Sequence, residues 1–446
     1  MTPRLPARSR GTEPEPARRA WMRRAAAVAA VAASAPPARA AKVATRARIV
    51  IAGSGLGGLA IAHRLSAALD GATITIVDRK EEHNYQPGYT LVATGVWPVS
   101  KVRDRNADFQ PAGVEWVRDM VAEFDPAGNA VVTAGGRRIP YDFLVVATGV
   151  HLDYAQIEGM DVSAIGRDGL ASVYPGPEAA TATWAAMQAF AARGGEAVMT
   201  LPATPLKCAG APLKMTFMLR DRLRQAGTLG RSHVQFESAL GNVFGVKAVN
   251  DNVLGRWKAL GIDVEYTHRL AAVDIGRRRA TFVTPEGERT ERPYDFLHVV
   301  PPMRAPDPVK ASDLSWKQGA FAAGGWLEVD PGTLRHRRYG NVFGVGDVNG
   351  TPRGKTAATV KKSAPIVAHN LVEVIAGREP DGRFDGYTSC PLITREGSAM
   401  LIEFDYEGRL VPSLPMIEPL QDSWFAWLMK YRMLKPAYLA VLKGRV

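Results

Sequence analysis

Cysteine is scarce: Cys208 and Cys390 are the only two in 446 residues. They lie 182 positions apart, so at most one intrachain bridge can form. Long apolar runs are absent as well. No stretch approaches the roughly 20 apolar residues of a membrane-spanning helix. Histidines at metal-ligand spacing are missing too, since His83, His298 and His336 stand alone in sequence. No metal is assigned, and His298 and His336 are read as structural. Acidic residues are depleted only at the front. The first 48 residues hold 11 lysines and arginines against 2 acidic residues, out of 56 and 44 in the whole chain. The remaining chain is close to balanced, which gives nucleic-acid binding no support.

Each cysteine sits in a context of its own. Cys208 lies in Leu206-Lys207-Cys208-Ala209-Gly210-Ala211-Pro212, just before an apolar helical stretch. A thiol at a helix N-terminus beside a lysine should have a depressed pKa, because dipole and ammonium both favour thiolate. Cys390 lies in Tyr387-Thr388-Ser389-Cys390-Pro391-Leu392. The pair is equally compatible with two unrelated buried cysteines, an ordinary structural bridge, or redox chemistry.

A dinucleotide site is written near the start. Arg48-Ile49-Val50-Ile51-Ala52 is an expected strand, Gly53-Ser54-Gly55-Leu56-Gly57-Gly58 opens a helix, and Thr73–Val77 is a second strand ending in Asp78. Gly53 makes the tight turn, Gly55 lets the backbone reach a pyrophosphate, and Gly58 lets helix pack on strand. Asp78 is placed to accept from ribose hydroxyls. Two further strands end in Ala147-Thr148-Gly149 and in Gly346-Asp347. Together the three segments resemble the fingerprints of two-dinucleotide-binding-domain flavoproteins, which implies FAD held through Gly53, Gly55, Gly58, Asp78, Thr148, Gly149, Gly346 and Asp347. A second glycine motif is missing where such proteins dock NAD(P)H. After Glu196–Leu201 comes Pro202–Pro212, with a cysteine in place of a phosphate turn. The middle domain therefore lacks a nucleotide site, and electrons are expected from a small donor that reacts at sulfur.

Several longer strings are similar to the sulfide:quinone oxidoreductase family, in its two-cysteine group. They are Tyr85-Gln86-Pro87, Lys207–Pro212, Leu297–Met303, His336–Tyr339, Lys355–Ala358 and Tyr387–Leu392. The resemblance implies that hydrosulfide attacks a Cys208–Cys390 bridge. Cys390 would carry the persulfide, and Cys208 would be the thiolate that adds to or donates charge to the isoalloxazine, stabilised by Lys207 and the following helix. A small acceptor (glutathione, sulfite, cyanide or another sulfide) removes the sulfane sulfur, and quinone takes the electrons. With no spare thiol, FAD should be non-covalent. Lys355 is expected near the flavin pyrimidine, and Tyr85 and Pro87 along the flavin or quinone pocket. Alternatives are a sulfide dehydrogenase flavoprotein subunit that passes electrons to a cytochrome, and a flavin/persulfide sensor without turnover.

The expected fold is α/β, with two Rossmann-like domains and a C-terminal amphipathic membrane-binding segment. Residues 1–46 form a leader, 47–155 and 330–385 the FAD-binding domain, and 156–329 the second Rossmann-like domain. Residues 386–446 carry Cys390 and the membrane-interface helices. The leader has Arg18-Arg19-Ala20-Trp21, an Ala/Val run and a small-residue site at Ala38-Arg39-Ala40, a Tat-like pattern. It implies a monotopic protein on the periplasmic face; the alternative is the mitochondrial inner membrane. The aromatic and basic run Trp424–Leu434, broken at Pro436 and followed by Tyr438–Leu442, is expected to form two short helices lying on a membrane surface. Homo-oligomerisation is possible.

Overall fold

The computed structural model describes residues 42–414 and 417–446. Residues 43–446 form one compact unit. The leader expected over 1–46 lies outside the described residues up to residue 41.

Two five-stranded parallel sheets organise this unit. In the first, the strands run in the order Val342–Gly344, Phe143–Val146, Arg48–Ala52, Thr73–Val77, Glu115–Val117. In the second the order is Leu170–Ala171, Phe296–His298, Gly195–Leu201, Ser232–Ser238, Ile262–Glu265. Both centres read as continuous apolar runs because helices cover parallel strands on both faces. Ile49, Ile51 and Leu144 are fully buried, as are Ala197, Met199 and Phe236. The strand Val342–Gly344 returns to the first sheet after the chain has built the second one. The turn expected at Pro285-Glu286-Gly287 joins strands Arg279–Val283 and Arg289–Pro293 of an antiparallel meander, with Gly287 at φ +90°.

The glycine loop is as tight as its residue types require. Gly53 has φ +111°, and a Cβ there would sit 2.5 Å from the Ala147 carbonyl oxygen. A Cβ on Gly58, in the first turn of the helix Leu56–Ala68, would lie 1.9 Å from the Gly53 oxygen. Helix and strand therefore meet with no room for a methyl group.

The C-terminal segment departs from expectation. Instead of two helices broken at Pro436, the chain is helical without interruption through Trp424–Leu428, a π-turn Met429–Met433 and Leu434–Leu442. Pro436 falls in the first turn of the last piece, just after the wide π-turn. There its missing N–H and its ring disturb the helix least. The segment is also more deeply docked than a surface helix. Trp427, Lys430, Tyr438, Val441 and Leu442 are buried, while Trp424, Phe425 and Met433 are exposed. No helix among the described residues is long and apolar enough to cross a membrane.

Gly58→Ala is expected to destabilise the protein by about 1–3 kcal/mol, because overpacking here meets backbone and not a yielding side chain. A urea unfolding midpoint unchanged from wild type would contradict this packing.

Candidate active site

The loop Pro202–Gly210 leaves the second sheet after Leu201 and ends in the helix Ala211–Ala226. Cys208 stands in its last turn at φ +51°, a left-handed conformation that costs an L-residue roughly 1 kcal/mol or more. Two backbone bonds hold it there. Its N–H donates to the Lys355 carbonyl at 2.9 Å, and its carbonyl accepts from Ala211 N–H at 2.7 Å. The first bond links this loop to the Gly-Asp loop that follows Val342–Gly344.

Cys390 arrives from a different element, the strand Thr388–Arg395, where it pairs with Ile402. Its Sγ would lie 2.2 Å from a Cβ on Gly210, so only glycine lets this sulfur approach the loop. The two thiols are free, and each is the largest influence on the other's titration.

The charges around this pair differ from the sequence reading. Lys207, Cys208's neighbour, donates from Nζ to Gln86 Oε1 at 2.9 Å and feels the Cys208 charge at a distance. Burial pulls its pKa down to about 8, against the attraction of Asp347. The ammonium at the thiol is Lys214, with Nζ 3.5 Å from Cys208 Sγ and only 3 % exposed. Lys430, from the C-terminal π-turn, approaches from the other side with its Nζ on the Pro87 carbonyl at 2.5 Å. The hydrogen bond from Cys390 holds the Cys208 thiol well below its ordinary pKa, helped by Lys214 and Lys430 and opposed by burial. That same contact, with burial, pushes Cys390 up against the pull of Lys214. Burial alone would lower Lys214, yet the two sulfurs reverse the sign and keep it charged. Lys430 falls to about 7 through burial and the repulsion of Lys214. The arrangement makes Cys208 the thiolate and Cys390 the thiol.

Neither lysine was singled out from sequence. Each is a lone cation inside an apolar run, Pro212-Leu213-Lys214-Met215 and Trp427-Leu428-Met429-Lys430-Tyr431. That pattern is the signal that could have found them.

The expected dinucleotide residues lie at neighbouring loop ends of the first sheet. Asp78 accepts from Ser54 N–H at 2.7 Å and from Ser54 Oγ at 2.9 Å. Thr148 Oγ1 is buried without a partner, and open space surrounds the Cα of Gly55 and of Gly149 (φ +71°). An orphaned donor beside bare backbone at the strand ends fits an FAD pyrophosphate and its ribityl chain. Gly346 is likewise left-handed, at φ +84°. Lys355 is bound into the Gly-Asp loop. Its ammonium donates to the carbonyls of Asp347 (2.6 Å) and Asn349 (2.8 Å) and lies 3.7 Å from the Trp326 ring centroid. Burial pulls its pKa to about 7. It clamps the Gly-Asp loop. Burial also raises the Asp347 carboxyl, against Lys355 and Lys207.

Tyr85 is buried, edge-on to Tyr438 at 4.9 Å, and is held protonated by burial and by the neighbouring Cys208 charge. Pro87 touches the site through the carbonyl that receives Lys430. His336 accepts at Nδ1 from the backbone N–H of Arg338 and of Tyr339, both at 3.1 Å, and its Nε2 bonds the Leu314 carbonyl. Among the described residues no cluster of His, Cys, Asp and Glu is placed to hold a metal ion.

Comparison with known proteins bears on this geometry. The pyridine nucleotide-disulphide oxidoreductase family matches residues 47–176. The mitochondrial sulfide:quinone oxidoreductase of Mus musculus is 34% identical over 87% of this chain and 85% of its own. That of Dictyostelium discoideum is 36% identical over 89% of this chain and 86% of its own. The structure of the Aquifex aeolicus sulfide:quinone oxidoreductase superposes with a TM-score of 0.72 at 22% identity, covering 91% of this chain and 92% of that one; it speaks to the fold.

In the reduced protein, Lys214→Met should raise the Cys208 pKa and slow its alkylation by iodoacetamide at pH 7 by about tenfold, one pKa unit. Lys207→Met should change it little. The reverse ranking would contradict the assignment of Lys214 as the thiolate's partner.

Proposed function

Since the chain belongs to the sulfide:quinone oxidoreductase family, an FAD-dependent group whose substrates are sulfide and quinone, we propose that its sulfur chemistry runs on the Cys208–Cys390 pair. The observation that carries the reading is the apposition of two thiols from separate elements beside one buried ammonium, Lys214, whose Nζ lies 3.5 Å from Cys208 Sγ. In the oxidised pair, hydrosulfide attacks Cys390 Sγ and the S–S bond breaks toward Cys208, which leaves as thiolate. Lys214, in contact with Cys208 Sγ, and Lys430 stabilise the thiolate that leaves. Cys390 then bears the persulfide. A small acceptor (glutathione, sulfite, cyanide or a second sulfide) takes the outer sulfur and returns Cys390 as a thiol. Re-forming the bridge releases two electrons and a proton. FAD, when bound, accepts those two electrons and passes them to quinone.

The chain's other residues bind and orient. Gly53, Gly55, Gly58, Asp78, Thr148 and Gly149 hold the dinucleotide, and Lys355 fixes the loop of Gly346 and Asp347. Tyr85 and Pro87 wall the side of the cysteine site that faces the C-terminal segment. The FAD-binding part comprises 47–155 and 330–385, the second Rossmann-like part 156–329, and 386–446 supplies Cys390 and Lys430.

The exposed row Trp424, Phe425, Arg432 and Met433 is suited to a membrane interface, with aromatic and apolar groups at headgroup depth beside a cation. We place the protein on a quinone-bearing membrane. The relatives named mitochondrial favour the inner mitochondrial membrane, and none of them supports periplasmic export.

Under anaerobic conditions sulfide should bleach the bound flavin and a short-chain quinone should restore it. NADH-driven bleaching with no response to sulfide would overturn the reading. A flavin that sulfide reduces and quinone leaves reduced would indicate the sensor alternative. Cys390→Ala should stay yellow yet lose turnover by more than about a thousandfold, as loss of a covalent nucleophile does.

The triple variant Trp424→Gln, Phe425→Gln, Met433→Gln should stop co-floating with liposomes while retaining turnover with soluble quinone. Deleting the segment would be a poorer test, because it would also remove Lys430. Undiminished flotation of the variant would rule out this surface as the membrane contact.

A further inference from the structure

A chain of hydrogen bonds runs from the glycine loop to the C-terminal helix. We propose that His83 and Tyr438 are positioning residues that lock the helix Leu434–Leu442 to the dinucleotide loop, so that binding FAD and seating Lys430 at the cysteines assist each other. The inference rests on FAD occupying the glycine loop, which titration of the wild-type chain establishes in its own right.

The chain has five members. Ser54 Oγ donates to Asp78 Oδ2 at 2.9 Å, and Asn106 Nδ2 donates to Ser54 Oγ. The His83 ring stands between Asn106 Oδ1 and the Tyr438 hydroxyl, 2.8 Å from each. Asn106 Oδ1 can only accept, so the hydrogen is on His83 Nδ1. Nε2 then carries the lone pair and Tyr438 OH donates to it. Every donor points the same way, toward the Asp78 carboxylate. Burial favours the neutral imidazole that this direction requires. Ser54, His83, Asn106 and Tyr438 are all buried, so a broken link would leave polar groups without water to replace it.

The two ends lie at functional places. Ser54 belongs to the turn that approaches the pyrophosphate, and its own N–H also donates to Asp78. Tyr438 belongs to the continuous helical segment that carries Lys430 eight residues earlier. That segment grips the same platform elsewhere. Lys435 pairs with Asp104 at 2.8 Å, and Asp104 is His83's partner in the strand pair Glu82–Asn84 and Arg103–Arg105. Lys430 itself rests on Pro87, four residues after His83. A dinucleotide that fixes the Ser54–Asp78 turn therefore fixes the far end of the chain, and a docked helix pre-orders the turn. Linkage requires each to strengthen the other by the same factor.

The test uses full-length protein, deflavinated and reloaded, as wild type and Tyr438→Phe, which loses one hydroxyl and keeps the ring against Tyr85. FAD affinity is read by flavin fluorescence, and amide hydrogen exchange of residues 434–446 is read with and without FAD. In wild type, FAD should slow exchange of this segment by about tenfold. Tyr438→Phe should weaken FAD binding about five- to tenfold and abolish the FAD-dependent slowing. His83→Leu should do the same if it folds; Tyr438→Phe decides the matter alone. Wild-type exchange indifferent to FAD would overturn the proposal. So would a Tyr438→Phe protein that keeps the FAD-dependent slowing, whatever its affinity, because the hydroxyl would then serve only local packing.

Discussion

The contact between Lys214 and the Cys208 sulfur is the constraint on which the rest of the site depends. An ammonium with 3 % of its surface exposed is tolerable only beside a compensating charge. The nearest candidate is a thiol 3.5 Å away. Each group holds the other in its charged form, and the hydrogen bond from Cys390 completes the arrangement. The two sulfurs are therefore unequal before any substrate arrives. Sulfide chemistry on a symmetric bridge would have two outcomes; here negative charge is favoured on Cys208 and disfavoured on Cys390, although Lys214 acts on both.

Holding that contact requires backbone from three parts of the chain. The left-handed turn at Cys208 is bonded to the Lys355 carbonyl, and Lys355's own ammonium clamps the loop of Asp347. Gly210 leaves the opening through which Cys390 approaches from the hairpin Thr388–Arg395 and Ser398–Phe404. Lys430 and Tyr438 bring the C-terminal segment against the same wall. A strained residue tied down by its neighbours is a common way to aim a reactive group. Here the ties also run between the part that holds the dinucleotide and the part that holds the first cysteine.

What could be read from the sequence, and what could not, follows from the range of the interactions. The glycine loop, the strand ends at Gly149 and Asp347, and the turn at Gly287 are local patterns, and residue type at fixed spacing is enough to place them. The missing second glycine motif was equally legible, because Pro205 and Pro212 flank the place where it would stand. Lys207 shows the limit. Adjacency suggested that it serves Cys208, but its ammonium is hydrogen-bonded to Gln86, and no sequence signal marks that distant partner. Lys214 and Lys430 acquire their meaning from burial, which depends on what folds over them. His83 was a lone histidine until a tyrosine 355 residues away supplied its partner.

The C-terminal segment illustrates why composition alone underdetermines such a stretch. Its aromatic and basic residues fit a membrane-interface helix, and the exposed Trp424, Phe425 and Met433 remain on such a face. Its most informative cation, however, points inward, and the π-turn Met429–Met433 is what separates the two faces. Adding one residue to a helical turn rotates everything beyond it relative to a regular helix. Lys430 can therefore reach Pro87 while Arg432 and Met433 stay outside. In a regular helix Tyr438 would lie about 80° around from Lys430; the extra residue brings them toward one side, where Tyr438 meets His83 and Lys430 meets Pro87. One irregular turn thus lets a short segment expose aromatic and apolar groups on one side and bring Lys430 to the sulfur site on the other. The exposed aromatic face and the cation that acts on the Cys208 thiol therefore share one helical segment, while the thiol itself stands on the loop before Ala211–Ala226.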